Sequence, residues 1–414
     1  KAMAIIMKVS FPHMGCVTGF KHLMEKLGHE VIMPQKPTQR TMELGVKYSP
    51  EFICFPFKVM LGTYIECAEA GAELIISSGG SGPCRAGMYP DIHQKVLEEL
   101  GFKTRIIVFD SIFENFSYFL EKAKTVLNGT SIPKALSIAK FTFHLIRKMD
   151  MLEKRLKIER AYEENIGDYD HAWKKIVNSF ELCQTTREVN QAYKKANHLF
   201  DAIPKRQVEE KDKLRMGIVG EIYVVMESSV NKNVEQILNS LGVEVENVQY
   251  ISDWVLHNIQ PSWGFFTKSR RVLKNSDSNA PLNCGGHDKE NLGWVYDFAK
   301  RRFDGVIHLM PFACLPELVN LSKLPGVSTD LGMPILSLSL DEQTGEAHIK
   351  TRLEAFTDLA RSKHYARLNR TKKPVNSLDK RIENGIDKVG SELGKVKESL
   401  SDSVNLKNNQ PKVS

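Results

Sequence analysis

The chain has 414 residues, of which 42% are hydrophobic and 26% charged, and a net charge of +7. This is the balance of a globular chain long enough for two domains and a sizeable core. No apolar run approaches the roughly 20 residues of a membrane span, and no basic block is interleaved with aromatics, which disfavours nucleic acid as a partner.

The opening KAMAIIMKVSF lacks a small-residue cleavage site, so it reads as a first strand and not a signal peptide, with Met3 or Met7 as candidate natural starts. Strand MKVSF (7–11) leads to helix GFKHLMEKLG and strand HEVIMP. A short buried strand, EFICF, then precedes the helical FKVMLGTYIECAEAG. ELIISS (73–78) and TRIIVFD (104–110) are further strands, separated by the helix IHQKVLEELG. Strand–helix alternation with short connections predicts a parallel, doubly wound sheet. From 134 to 212 the spacing turns helical throughout. Alternation resumes at RMGIVGEIYVV (215–225) and continues through VEVENVQY, FDGVIHLM (303–310) and MPILSLSLD (333–341). The expected architecture is α/β: two doubly wound parallel-sheet domains of Rossmann or flavodoxin-like type, residues 1–133 and 213–365, joined by a helical segment, 134–212. Residues 268–290 read as loop-like in their middle, a candidate flap. The polar tail, 366–414, carries Ile382, Ile386, Val389, Leu393, Val396 and Leu400 at 4-3-4-3-4 spacing, a narrow amphipathic pattern weakened by Gly385, Gly390 and Gly394.

Seven cysteines, an odd number, with no secretion signal point to a reducing cytoplasm in which structural disulfides are not expected. Cys67 and Cys183 lie inside helical patterns and read as packing residues. Cys54, Cys84 and Cys314 are different: each is expected beyond the carboxyl end of a strand and close to a helix start. In open parallel sheets that is where ligands bind, and a helix N-terminus favours thiolate, the form that binds soft metals and iron–sulfur clusters. Pro56, Pro83, Pro311 and Pro316 stiffen these turns, and Gly79, Gly80 and Gly82 allow close backbone approach. There is no C-x₂-C pair, which argues against a zinc ribbon or a bacterial ferredoxin. Spacing alone leaves open whether the three thiols share a site or are separate loop and core residues.

Taken together, CFPFK (54–58), GGSGPCR (79–85) and MPFACLPE (310–317), in this order, resemble the 2-hydroxyacyl-CoA dehydratase superfamily. The branch most similar is that of acyl-CoA dehydratase activase-related proteins, or CoA protein activases, related to the double-cubane cluster proteins. MELGVKYSPE (42–51), GEIYV (220–224), SDW (252–254) and SLDEQTGEAHIKTRLEAF (339–356) extend the resemblance over roughly residues 7–362. It implies a 4Fe–4S cubane on Cys54, Cys84 and Cys314, alone or within a larger bridged cluster. It also implies an ATP-dependent iron–sulfur activase as electron donor, an acyl-CoA or other small-molecule substrate for low-potential reduction or dehydration, and pairing of subunits. The chain departs from the pattern at Gln343, where His is expected, and at Cys16, where threonine is expected. Cys16 is thus a candidate fourth ligand or an incidental loop thiol. Lys58 and Arg85 could balance cluster charge or face solvent. His308 reads as a core histidine, Glu317 as a first-turn helix acid, Cys284 as a loop residue and His287 as a candidate acid or base on the flap. With no Walker glycine loop, the chain is not expected to hydrolyse ATP itself. A non-catalytic cluster-carrying scaffold and a binding protein with structural thiols are the competing readings.

Overall fold

In the computed structural model, residues 6–79, 83–109, 116–259, 268–276 and 284–372 are described. The elements in chain order begin with β1 (Lys8–Ser10), α1 (Val17–Lys26), β2 (Glu30–Val31), α2 (Gln39–Tyr48), α3 (Phe55–Glu69), β3 (Leu74–Ser77), α4 (Tyr89–Glu99), β4 (Arg105–Val108) and α5 (Phe116–Leu127). A helical run follows: α6 (Ile132–Glu159), α7 (Asp168–Glu181) and α8 (Thr186–Asp201). The chain continues with β5 (Leu214–Gly220), α9 (Ile222–Met226), α10 (Val234–Ser240), β6 (Val243–Asn247), α11 (Ile251–Ile259) and α12 (Lys268–Ser276). It closes with α13 (Asp288–Lys300), β7 (Gly305–Pro311), α14 (Leu315–Leu331), β8 (Ile335–Leu340) and α15 (Glu346–Lys372).

The strands form two four-stranded sheets, ordered β2-β1-β3-β4 and β6-β5-β7-β8, and every pairing is parallel. The expected α/β class and parallel sheets are therefore present. Both sheets reverse direction of winding between their two central strands, β1/β3 and β5/β7, and in open parallel sheets the carboxyl ends of such strands are where ligands bind. The central strand β7, GVIHLMP, is buried at every residue, as expected of a parallel strand covered on both faces. One hydrophobic core runs from Phe57, Leu61 and Ile75 to Ile218, Leu309 and Leu340, and so includes side chains from both sheets. A second core, around Leu145, Leu152, Phe180, Val189 and Phe200, holds the helical run together and takes in Ile251. Residues 1–362 form one compact unit, and the described residues 363–372, the end of α15, fall outside it. Among the described residues no helix is long and apolar enough to cross a membrane.

Several local expectations change. EFICF is not a strand: residues 51–53 form a turn, and Phe52 is 75% exposed. The apolar run straddles the connection between two helices. α2, unforeseen from the sequence, starts at a capping box in which Thr38 and Thr41 serve each other's backbone and side-chain groups, and it stops before Ser49-Pro50. α2 and α3 pack backbone to backbone. A Cβ on Gly45 would lie 2.0 Å from the Lys58 carbonyl oxygen, and one on Gly62 would lie 1.9 Å from that of Thr41. Residues 268–276 are helical, whereas the middle of the candidate flap, 277–283, and the tail pattern at 382–400 lie outside the described residues.

Candidate functional site

The three singled-out cysteines each occupy a helix N-cap. Cys54 precedes α3, Cys84 precedes a 3-10 turn (Arg85–Met88) that runs into α4, and Cys314 precedes α14. Cys54 and Cys314 share one local design, Cys-x-Pro, with proline in the first helical turn, where its missing N–H costs nothing. Two of the three follow strands, β3 and β7; Cys54 instead follows the α2–α3 turn.

All three line one cavity of about 220 Å³. Its walls come from the segments after β1 (Pro12, Met14), β3 (Ser78, Cys84, Arg85), β5 (Glu221, Ile222) and β7 (Cys314, Glu317). These are the reversal points of both sheets at once. Tyr89, Trp254 and His287 also line it. Gly80 and Gly82, expected to allow close approach here, fall outside the described residues; Gly79 lines the cavity.

Arg85 ties the three cysteine segments together. Its Nη1 donates to the Phe52 carbonyl (2.9 Å), two residues before Cys54, and its Nη2 donates to the Ala313 carbonyl, directly before Cys314. Ala313 has φ +62°, a left-handed conformation that costs a non-glycine residue on the order of 1–2 kcal/mol. The guanidinium thus helps fix a strained turn. The Phe55 N–H adds a bond to the Phe312 carbonyl (3.4 Å).

The electrostatics differ from expectation. Burial pushes all three thiols up, the opposite of the thiolate expected at helix N-termini. For Cys54, contact with the Tyr89 hydroxyl and then the charge of Arg85 oppose the rise. For Cys84 a bond from the Ala86 N–H does so. Cys314 is pushed highest, by burial and then by the carboxylates of Glu317 and Glu221. The shift favours the protonated thiol, and a metal, which binds thiolate, would release the proton on binding.

Glu221 and Tyr89 were not singled out in the sequence. Glu221 caps α9, its Oε2 accepting from the N–H groups of Tyr223 and Val224, both at 3.1 Å. Burial raises its carboxyl to about 7. Its sequence signal is the segment GEIYV (220–224), directly after a buried strand. Glu317 is more than a first-turn acid: its Oε1 accepts from Asn291 (2.8 Å), and its Oε2 meets His308 Nε2 (2.7 Å) and accepts from Asn320 (3.0 Å). His308, fully buried between Ser337 and Glu317, is the satisfied core histidine expected.

Other candidates lie elsewhere. Cys16 is buried against Met149 in the helical core and does not line the cavity that holds the three other thiols. Lys58 neither faces solvent nor compensates the thiols; it is buried in an ion pair with Glu342 (2.7 Å). Cys67 packs against Ser10, and Cys183 bonds the Ser179 carbonyl. The Cys284 N–H donates to Asp288, and its thiol does not line the cavity.

The three thiols share a cavity, yet among the described residues no three His, Cys, Asp or Glu side chains are grouped so as to hold a metal ion. A single zinc would need donors within about 2.3 Å of one point. A group that reached all three thiols would have to be wider than one ion. The donor set of three cysteines at helix N-termini, in a largely apolar cavity, fits an iron–sulfur cluster in chemistry. No family model matches the chain, and no curated protein matches it.

Proposed function

We propose that the chain binds a cubane-type 4Fe–4S cluster through Cys54, Cys84 and Cys314 and serves in low-potential electron transfer. The observation that carries this is the meeting of three thiols, from segments 30 and 230 residues apart, in one cavity where both sheets reverse. When bound, the cluster would supply one-electron chemistry. The protein's part is positional. Arg85 fixes the three turns, Tyr89 orients the Cys54 thiol, and Pro12, Met14, Ile222 and Trp254 restrict water. The resemblance in the sequence supports an ATP-dependent iron–sulfur activase as electron donor and an acyl-CoA or other small molecule as acceptor. Cavity size favours a second reading, a cluster carrier that passes electrons to a partner enzyme. At about 220 Å³ the space is below the roughly 300–1,000 Å³ of small-molecule sites, and a cluster would occupy part of it.

Anaerobic purification with iron and sulfide analysis tests the proposal. Near four irons per chain are expected in the wild type, with loss in Cys54→Ser, Cys84→Ser and Cys314→Ser but not in Cys67→Ser. A colourless wild type that takes up no iron and sulfide on anaerobic reconstitution would overturn it. Reduction by an activase followed by turnover of an acyl-CoA panel separates enzyme from carrier.

A further inference from the structure

Glu221 and Glu317 both line the cavity, but they are bonded differently. Both oxygens of Glu317 are taken by His308, Asn291 and Asn320. Both cap bonds of Glu221 fall on Oε2, and among the described residues Oε1 has no hydrogen-bond partner. The backbone at Glu221 is held firmly. Its N–H donates to the Leu309 carbonyl (3.1 Å), and Gly220 presses so close to that carbonyl that a Cβ would lie 2.0 Å from its oxygen. The carboxylate is therefore presented to the cavity from a fixed base, with one oxygen committed to the fold and one left over. Its charge bears on Cys54, Cys84 and Cys314 alike, whereas Glu317 bears on Cys84 and Cys314.

We propose that Glu221, through Oε1, is the fourth protein ligand of the iron–sulfur cluster held by Cys54, Cys84 and Cys314, an inference that rests on the cluster reading above. Three thiolates and a carboxylate around one cavity would repel one another without iron, which accords with burial raising all four groups, and the Arg85 guanidinium would offset only part of that charge. Iron at the centre turns the same arrangement attractive. Oxygen donors suit iron less strongly than thiolate does, so the iron bound to Glu221 is the most easily released of the four. Replacing a cysteine by another donor also shifts the cluster's potential, as histidine ligation does in Rieske centres.

The test uses the full chain, reconstituted anaerobically with ferrous iron and sulfide, as wild type and as Glu221→Gln. The glutamine amide oxygen keeps the cap bonds to Tyr223 and Val224 while its NH₂ replaces the ligating oxygen, so capping and ligation are separated. On mild oxidation, Glu221→Gln is expected to lose its fourth iron at least tenfold faster than wild type and to give the paramagnetic signal of a three-iron cluster. Equal rates in the two proteins would overturn the proposal while leaving the three-thiol cluster intact. A wild type that binds no cluster would overturn both. Should Glu221→Gln fold poorly, hyperfine spectroscopy of wild type labelled with ¹³C-carboxyl glutamate gives a direct answer: coupling of a carboxyl carbon to the cluster is expected, and its absence would refute ligation.

Discussion

Gly45→Ala probes how the fold positions Cys54. The new methyl carbon would sit 2.0 Å from the Lys58 carbonyl oxygen, where ordinary contact begins at 3.4 Å. The obstacle is backbone in the first turn of α3, which a rotamer change cannot relieve. Either α2 and α3 separate, or α3 moves and carries its N-cap Cys54 with it. Separation would also open the reciprocal contact at Gly62. Overpacking of this kind costs about 1–3 kcal/mol, and a rigid carbonyl puts the expected loss at the upper end. The matched control is Gly326→Ala in α14, where a Cβ meets nothing within 4 Å; that change should gain about 0.5–1 kcal/mol. Urea midpoints at constant slope measure both effects, and iron retained per chain reports the displacement of Cys54. If Gly45→Ala unfolds at the wild-type midpoint and holds iron equally well, the close packing of α2 on α3 does not govern the site.

Three further outcomes concern Arg85, the thiols and, in the helical run, Asp150. Arg85→Lys, which cannot donate to both the Phe52 and Ala313 carbonyls as a planar fork does, should lower stability by about 1–2 kcal/mol and reduce iron retention; full retention would remove Arg85 from the positioning role. Cluster assembly should strengthen with rising pH, because the three thiols are pushed up and must lose protons to bind iron; apparent affinity is expected to climb about tenfold per pH unit for each proton released, and a flat profile between pH 6.5 and 8.5 would contradict buried thiols. Asp150, buried in α6 with its carboxyl raised to about 7, accepts from the Ser252 N–H (2.9 Å). A raised carboxyl stabilises the fold fully below its unfolded pKa, and that contribution is lost as pH rises toward 7, at up to about 1.4 kcal/mol per pH unit. Denaturant melts at pH 5 and pH 8 should therefore differ less in Asp150→Asn, whose amide oxygen can still accept from Ser252, than in wild type.

The parallel sheets were legible because ELIISS, GVIHLM and ILSLSL are apolar runs of strand length flanked by helical periodicity. EFICF deceived for the same reason: four apolar residues in a row look like a strand, although Phe52 points outward and only the later ones enter the core. α2 escaped notice because its start rests on a Thr38–Thr41 reciprocity in place of the usual Ser/Thr-to-Glu capping pattern. The placement of Cys54, Cys84 and Cys314 at helix starts could be read from the prolines and glycines around them. Their protonation could not, since burial is set by residues far away in the chain. Glu221 was hidden more deeply. It lies within GEIYV, but nothing in that segment marks the acid as a site residue, and its relation to Cys54 and Cys84 exists only once the two sheets share a core.

The span between those cysteines has a mechanical side. Cys54 and Cys84 belong to the half built on β1–β4, and Cys314 to the half built on β5–β8. A cross-link through all three would close a loop of some 230 residues, and closing a loop of that length restricts the unfolded chain by about 5 kcal/mol in the chain-entropy picture. Small secreted proteins gain such restraint from disulfides. Here inorganic bonds would tether the two ends of the fold without any oxidant, and resistance to unfolding would rise and fall with the iron supply.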